Sequence, residues 1–360
     1  MKRAYNFNAG PAALPTAVLE YAQAELVDYH GMGMSILEIS HRSKEYEYVH
    51  NHAKHLLCQL LSIPDDYEVL FLQGGASMQF AMIPLNFLLP GTTANYILTG
   101  YWSEKALAEA TRLGSTFVGG SSADSNYSYI PELEQLKLYP SHAYVHLTSN
   151  NTIYGTQWHQ FPDTKGVPLI ADMSSDILSR PIDVSQFALI YAGAQKNLGP
   201  AGVTVVILRK DLLKNVPEQV PTMLRYSTHI AANSLYNTPP TFAIYLLDKV
   251  LEWVGEQGGV AAIAQQNQLK AEMLYEVIDH SDGFYRGHAH PQSRSCMNVT
   301  FTLPTKELET EFLAAAREQG FVGLNGHRAV GGCRVSIYNA VPVAACEALR
   351  EFMLQFKAAH

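Results

Sequence analysis

The chain has 360 residues, of which 47% are hydrophobic and only 16% are charged, whereas about 25% are charged in a typical globular protein. Its net charge of −8 comes without a basic run, which excludes nucleic acid and an anionic membrane as expected partners. No apolar run approaches the ~20 residues that span a bilayer, and the start of the chain lacks a secretory pattern. We therefore expect a soluble, cytoplasmic protein with enough buried surface for two domains and a subunit interface.

The first half of the chain alternates short apolar runs with helical patterns. After an irregular start at 1–15, the pattern predicts a helix from Thr16, which can cap it, to about Asp28. Further helices are predicted at about 44–61, 73–88, 103–113 and 130–138, and strands at 68–72, 96–98, 115–118, 143–148 and 167–171. This alternation predicts an α/β fold, with a mostly parallel sheet and helices on both of its faces.

Two β-branched runs, 187–192 and 203–208, open the second half of the chain. Because Gly and Pro residues bound them, they predict neighbouring buried strands joined by a tight turn. A long helical region at about 241–279 follows, and Gly258-Gly259 interrupts it.

The pattern of apolar and polar residues changes after Gly258-Gly259. Two strictly alternating runs, 297–301 and 333–338, accompany helical patterns at 306–319 and at the end of the chain. They predict a smaller α+β unit whose sheet has one face in solvent. We therefore predict a large α/β domain at 16–257 and a small domain made of 1–15 and 258–360.

Lys196 lies between the two β-branched runs, among small residues. It is either an amine whose pKa burial lowers, so that it can form a Schiff base with an aldehyde, or a lysine that reaches solvent from a surface turn. Asp172 directly follows the apolar run 167–171. A carboxylate there can pair with a protonated pyridine nitrogen, or it can cap the strand end.

Two more features follow predicted strands. The backbone N–H groups of Gly74-Gly75-Ala76-Ser77, at the start of a helix, suit a phosphate, although many Gly-Gly turns bind nothing. Trp102 offers an aromatic face on which a pyridine ring can stack, or it is an ordinary core residue. Since ligands of open α/β sheets bind beyond the carboxyl ends of the strands, the four features together predict a pyridoxal-phosphate enzyme.

Longer sequence blocks extend along nearly the whole chain. They are Asn6-Phe-Asn-Ala-Gly-Pro-Ala12, Glu38-Ile-Ser-His-Arg42, Gly100-Tyr-Trp102, Ala171-Asp-Met-Ser-Ser175, Ser179-Arg-Pro-Ile-Asp183, Ile190-Tyr-Ala-Gly-Ala-Gln-Lys-Asn197, Tyr236-Asn-Thr-Pro-Pro-Thr-Phe242, Gly326-His-Arg328 and Arg334-Val-Ser-Ile-Tyr-Asn-Ala340. In this order the sequence resembles the phosphoserine aminotransferase family, class V aminotransferases with the fold-type-I pyridoxal-phosphate fold.

The resemblance implies a role for each residue around pyridoxal 5'-phosphate. Lys196 would bind the cofactor covalently and transfer the substrate proton, and Asp172 would pair with the pyridine nitrogen. Trp102 would stack on the ring, and Thr152 would bind its phenolic oxygen. The phosphate would be held by Ala76, Ser77 and Gln195, with Asn237 and Thr238 coming from the second subunit of a homodimer with shared active sites.

The resemblance also implies the substrates. An amino group would move reversibly between L-phosphoserine or 3-phosphohydroxypyruvate and glutamate or 2-oxoglutarate in serine biosynthesis, with 4-phosphohydroxy-L-threonine of vitamin B6 synthesis as a further substrate. Arg334 would bind the α-carboxylate. It lies on the polar face of its strand, opposite Cys333. The substrate's phosphate or second carboxylate would be bound by His41, Arg42, His327 and Arg328, whose alternative role is that of solvated loop charges.

Two positions differ from some family members, which carry Arg where this chain has Ser77 and Ser where it has Ala9. More of the phosphate binding would then depend on the His-Arg pairs. The remaining alternatives are another class V aminotransferase, a cysteine desulfurase and a cofactor-free protein that kept the fold. A desulfurase needs a cysteine on a mobile loop, whereas the pattern places the cysteines on helices, on an apolar strand face and at a strand start, and their spacing suits reduced thiols. They are Cys58, Cys296, Cys333 and Cys346.

Overall fold

A computed structural model describes residues 3–328 and 330–360. The helices in these ranges are α1 (Thr16–Glu25), α2 (Lys44–Leu61), α3 (Gly75–Phe87), α4 (Tyr101–Thr111), α5 (Tyr226–Ala231), α6 (Thr241–Glu256), α7 (Gly259–Asp279), α8 (Lys306–Glu318) and α9 (Val343–Ala359). The strands are β1 (Tyr5–Asn6), β2 (Tyr67–Leu72), β3 (Thr93–Leu98), β4 (Ser115–Ser121), β5 (His142–Thr148), β6 (Asn150–Asn151), β7 (Thr156–Gln157), β8 (Leu169–Asp172), β9 (Leu189–Gly193), β10 (Thr204–Arg209), β11 (Arg286–Gly287), β12 (Asn298–Thr302), β13 (Phe321–Val322) and β14 (Cys333–Ser336).

A seven-stranded sheet forms the centre of the first unit, in the order β2-β10-β9-β8-β5-β3-β4. Strands β9, β8, β5, β3 and β4 pair in parallel, whereas β10 is antiparallel to both of its neighbours. Apolar side chains cover both faces. One face packs against α2, α6 and the start of α7, and the other packs against α3 and α4. The predicted α/β fold with a mostly parallel sheet is confirmed.

A second core forms around the last third of the chain. Strands β11, β12 and β14 make an antiparallel sheet. Its apolar side chains pack with α8, α9 and the second half of α7, and Phe7 and Ala13 join them from the start of the chain. Helix α7 spans both units, because Val260 and Ile263 belong to the first core. The domain boundaries, 16–257 against 1–15 with 258–360, stay a prediction.

The expectation of a solvated face on the smaller sheet was wrong. Asn298 and Ser336, on its polar face, are both fully buried. Asn298 accepts a hydrogen bond of 2.8 Å from Asn150 of the first unit, and Thr300 donates one of 2.9 Å to the carbonyl of Tyr154. The polar face therefore packs against the loop that follows β5, and its side chains find hydrogen-bond partners there.

The predicted helix at 130–138 was also wrong. This segment contains a single short 3-10 turn, Leu133–Gln135. The backbone N–H of Lys137 bonds to Gly119 of the edge strand β4 at 2.7 Å, while Leu136 and Leu138 on either side pack against the first core. The chain is therefore extended along the sheet edge, and Pro131 disfavours a helical conformation for the residue before it.

Two smaller expectations were corrected as well. Helix α1 ends at Glu25, and Thr16 is its first residue rather than its cap, because Pro15 holds the cap position. The predicted tight turn after β9 is a longer loop, 194–203, and the hydrogen bond of 2.9 Å from Ala194 N to Val203 O closes its base. In the described ranges, none of the helices is both long and apolar enough to cross a membrane.

The close contact between the two units can be tested by a substitution at Gly155. Its φ is +71°, and a Cβ there would lie 2.6 Å from Thr300 Oγ1 and 2.8 Å from Asn298 O. Gly91 has a similar φ of +83° but open space around it. We expect Gly91→Ala to lower the free energy of unfolding by ~1–2 kcal/mol, and Gly155→Ala by a further ~1–3 kcal/mol. Urea unfolding of both variants measures this, and equal losses would contradict the close approach.

Candidate active site

A cavity of about 360 Å³ opens at the carboxyl ends of the parallel strands, between the two units. Its lining includes most of the residues predicted from the sequence: Ala76, Ser77, Trp102, Thr152, Asp172, Gln195, Lys196, His327 and Arg334. This is where the ligands of open α/β sheets bind. The lining is completed by Ala9, Gly10, Gly75, Thr148, Asn150, Ile153, Ser174 and Ser175.

Lys196 reaches this cavity from the loop after β9. Its Nζ donates a hydrogen bond of 2.9 Å to Thr152 Oγ1. Burial lowers the pKa of Lys196 to about 8, nearby Asp172 opposes this shift, and the positive charge of Arg334 adds to it. A larger fraction of this amine is therefore neutral and nucleophilic near neutral pH than for an ordinary lysine.

Asp172 is the last residue of β8 and is almost fully buried. Burial raises the pKa of its carboxyl group, while hydrogen bonds from Ser174 and the charge of Lys196 oppose that shift. The N–H of Ser174 donates to Asp172 Oδ1 at 2.9 Å. On the neighbouring strand β9, Tyr191 pairs in register with Asp172, and its hydroxyl lies 2.8 Å from Nε2 of His146. These polar groups hold a buried carboxylate in place and favour its charged form.

The start of α3 provides the third feature. Gly74 and Gly75 have φ values of +92° and +64°, a backbone conformation that favours glycine. Among the described residues, no side chain caps this helix, so its first N–H groups are available to an anion. Gln195 enters the same cavity. The side-chain amide of Gln195 packs closely over Gly193: a Cβ added to Gly193 would lie only 2.7 Å from Gln195 Oε1.

Two predicted cations line the cavity on the side of the second unit. Arg334 is half-buried on β14, and its Nε has no hydrogen-bond partner among the described residues. Burial lowers the pKa of Arg334, and burial followed by the nearby charges of Arg334 and Arg328 lowers the pKa of His327. A carboxylate or phosphate in the cavity would provide the acceptor that Arg334 Nε lacks.

The other five predicted residues do not line the cavity of this chain. Arg42, Thr238 and Arg328 are exposed and His41 is half-exposed. The remaining one, Asn237, donates a hydrogen bond of 3.0 Å to Gln73 Oε1. A role for Asn237 and Thr238 in a neighbouring subunit's site stays a prediction.

Sequence reasoning missed two groups at this site. Tyr191 lies within the apolar run that predicts β9, where it resembles a core residue. Asn150 follows β5 in the polar stretch Ser149-Asn150-Asn151-Thr152, which was a signal for a strand-end site. Its Nδ2 donates to Ser175 Oγ and to Asn298 Oδ1, both at 2.8 Å. Asn150 therefore connects the cavity wall to the second unit.

The residues present fit pyridoxal phosphate. A nucleophilic amine suits its aldehyde, a buried carboxylate suits its ring nitrogen, an uncapped helix start suits its phosphate, and Trp102 presents an aromatic side chain to the same cavity. The four cysteines are free thiols, and none of them lines this cavity. The fold and the site together define a pyridoxal-phosphate-dependent enzyme of the fold-type-I class.

Comparison with known proteins agrees with this class. The chain belongs to the class-V aminotransferase family, whose model matches residues 4–349. It is 65% identical to a phosphoserine aminotransferase of Halalkalibacterium halodurans over 360 residues, which is all of both chains.

Solved structures agree as well. A phosphoserine aminotransferase from Bacillus circulans subsp. alkalophilus is 60% identical, with a TM-score of 0.98 over 100% of this chain and 99% of that one. A pyridoxal-phosphate-bound phosphoserine aminotransferase from Trichomonas vaginalis is 40% identical, with a TM-score of 0.93 over 98% and 100%.

The shifted pKa of Lys196 can be tested on cofactor-free protein. We expect acetic anhydride to label Lys196 with a rate that rises through about pH 8. Asp172→Asn should move that rise to lower pH, because the carboxylate favours the charged amine. Peptide mass spectrometry follows the labelling, and the exposed Lys44 is the internal control, with labelling that Asp172→Asn leaves unchanged. A Lys196 profile that Asp172→Asn does not alter would contradict the assigned interaction.

Proposed function

We propose that this chain catalyses the reversible transfer of an amino group between L-phosphoserine and 2-oxoglutarate, giving 3-phosphohydroxypyruvate and L-glutamate, in serine biosynthesis. The observation that carries this is a single cavity lined by a half-buried amine at Lys196, a buried carboxylate at Asp172 and Arg334, whose Nε has no hydrogen-bond partner in the described part of the chain. The names of relatives that match the full length support the phosphorylated substrate. 4-Phosphohydroxy-L-threonine carries the same groups and is proposed as a further substrate.

Pyridoxal phosphate, when bound, supplies an aldehyde that joins amines and a ring that withdraws electrons from the substrate's α-carbon. We assign its phosphate to Ala76, Ser77 and Gln195, and its ring face to Trp102. Asp172 would hold a proton on the ring nitrogen through a charge-assisted hydrogen bond. Thr152, which already accepts a hydrogen bond from Lys196, would orient the phenolic oxygen beside the amine.

Lys196 would then act twice. Its Nζ would hold the cofactor through the aldehyde and, when free, would take the proton from the substrate's α-carbon. The lowering of the Lys196 pKa to about 8 favours both roles, because only the neutral amine can attack an aldehyde or take a proton. The surrounding protein also limits the access of water to the amine, so that a proton taken from the substrate is not readily lost to solvent.

Arg334 would bind the α-carboxylate by a two-bond fork, which Lys could not reproduce. His327 enters the same cavity, and we assign the substrate's phosphate or second carboxylate to it together with His41, Arg42 and Arg328. In a homodimer with shared active sites, the predicted residues that do not line the cavity of their own chain would reach the cavity of the other subunit. Exposed apolar side chains just before His41, including Val27, Met34 and Leu37 at 81%, 40% and 55% exposure, support an interface there. The four free thiols support a cytoplasmic location.

A titration of the pyridoxal-phosphate-loaded enzyme tests the reaction. L-Phosphoserine and L-glutamate should shift the visible cofactor band to that of the aminated cofactor, whereas L-serine should not, because it lacks the second anion. Lys196→Ala should fold and give no turnover. A band that responds to glutamate but not to phosphoserine would contradict the proposal that L-phosphoserine is a substrate. Full transaminase activity in Lys196→Ala would contradict the role of the lysine.

Mixed dimers test the shared site. Lys196→Ala and Asn237→Asp should each be nearly inactive alone, the second because a carboxylate would repel the cofactor's phosphate. Co-refolding the two variants should restore about a quarter of the wild-type activity, since half of the dimers are mixed and each mixed dimer has one intact site. No recovery in dimers confirmed by mass would show that Asn237 serves its own subunit.

A further inference from the structure

Three segments carry the main groups of the site, and a buried polar cluster lies just behind all three. Asp172 is followed by the turn 173–179, Lys196 is followed directly by Asn197, and Arg334 is followed by the loop 337–341. We call Asn197, Asn267, Asn339 and Lys270 the asparagine cluster. All four are 4% exposed or less, so their hydrogen bonds form out of contact with bulk water.

Asn339 joins the loop after Arg334 to the other two segments. Its backbone N–H donates to Asn197 Oδ1 at 3.0 Å, and its Nδ2 donates to the carbonyl of Leu178 at 3.0 Å. Asn197 in turn donates to the carbonyl of Ile177 at 3.0 Å. The chain after Arg334 is therefore fixed to the chain after Asp172 and to the residue beside Lys196.

Two side chains of helix α7 form hydrogen bonds with these segments. Asn267 Nδ2 donates to the carbonyl of Ser179 at 3.0 Å and to Asn339 Oδ1 at 2.9 Å. One turn along the same helix face, Lys270 Nζ donates to the carbonyls of Ile337, Tyr338 and Val341, at 2.9, 2.8 and 3.1 Å. An ammonium group with three carbonyl acceptors uses all of its donors. Neither Asn267 nor Lys270 lines the cavity.

Without the asparagine cluster, the segments that carry Lys196 and Asp172 would still be held by other bonds, but the segment that carries Arg334 would be held less firmly. The lysine loop keeps its own backbone bonds, from Ala194 N to Val203 O and from Leu198 N to Ala194 O, at 2.9 and 3.2 Å. Asp172 is held within β8 by its pairing with β5 and β9. Arg334, in contrast, belongs to the second unit, and only contacts between the units fix its distance from Lys196. A loosened cluster would thus displace Arg334 while leaving Lys196 and Asp172 in place.

We propose that the asparagine cluster is a positioning device, in which Asn267 and Lys270 set the distance between Arg334 and Lys196 and thereby the affinity for the substrate's α-carboxylate. This rests on the proposed function, since it takes Arg334 to be the carboxylate ligand. The cluster would act on substrate binding and not on the attachment of the cofactor.

Asn267→Leu tests this on the loaded enzyme, because leucine has a similar volume and can form neither hydrogen bond. We expect the KM for L-glutamate and for 2-oxoglutarate to rise about tenfold, because a displaced Arg334 would lose the equivalent of about one hydrogen bond to the α-carboxylate. The kcat should stay within about twofold, and the visible band of the bound cofactor should not change. This split indicates loss of binding that is equal in the ground and transition states.

Asn95→Leu is the matched control. Asn95 is fully buried in β3, and its Nδ2 also makes two bonds, to the Lys137 carbonyl at 2.9 Å and to His142 Nδ1 at 3.1 Å, away from the cavity. It should lower the Tm without changing the KM. A lowered Tm with unchanged KM in Asn267→Leu as well would overturn the proposal. If Asn267→Leu does not fold, Asn267→Ser, whose hydroxyl can make one of the two bonds, should give a smaller rise in KM, and an unchanged KM again overturns it. A wild-type enzyme without transaminase activity would instead refute the proposed function.

Discussion

The attraction between the half-buried ammonium of Lys196 and the buried carboxylate of Asp172 is the interaction on which the rest of the site depends. Burial disfavours the charged form of Lys196 and of Asp172, and each of them favours the charge of the other. The segments that follow β6 and β8 supply further stabilisation, since Thr152 accepts a hydrogen bond from Lys196 and Ser174 donates one to Asp172. Titratable groups whose pKa values burial shifts, and which face a cavity, are typical of a functional site.

The second unit shares a polar interface with the first. Asn298 and Ser336 form hydrogen bonds within a fully buried layer, and Asn150 extends that layer to the cavity wall. Directional bonds of this kind fix one arrangement of the two sheets, whereas an apolar contact would allow the units to slide. The position of Arg334 at the site therefore depends in part on Asn298 and Ser336, which do not line the cavity.

Much of the fold and part of the site could be predicted from the sequence, because the relevant signals are local. Lys196, Asp172 and the Gly74-Gly75 turn stand at strand ends, where strand, turn and helix patterns change abruptly. The segment 130–138 misled prediction because its leucine spacing also suits an extended chain on a sheet edge. Burial of Asn298 depends on a partner about 150 residues away in the sequence, which no local pattern encodes. His41 and Asn237 do not line the cavity of this chain, and no local pattern shows their distance from it.

The direction of β10 has a consequence for how this chain can change over evolutionary time. Parallel strands return through long connections, which tolerate insertions. The loop 194–203 instead joins two adjacent antiparallel strands, and both of its ends are locked in register from Leu189↔Leu208 to Gly193↔Thr204. Gln195 and Lys196 of this loop line the cavity, so an added residue beside them would shift the amine relative to that cavity. The length of this loop should consequently be far less variable among descendants than that of the segment between β10 and α6.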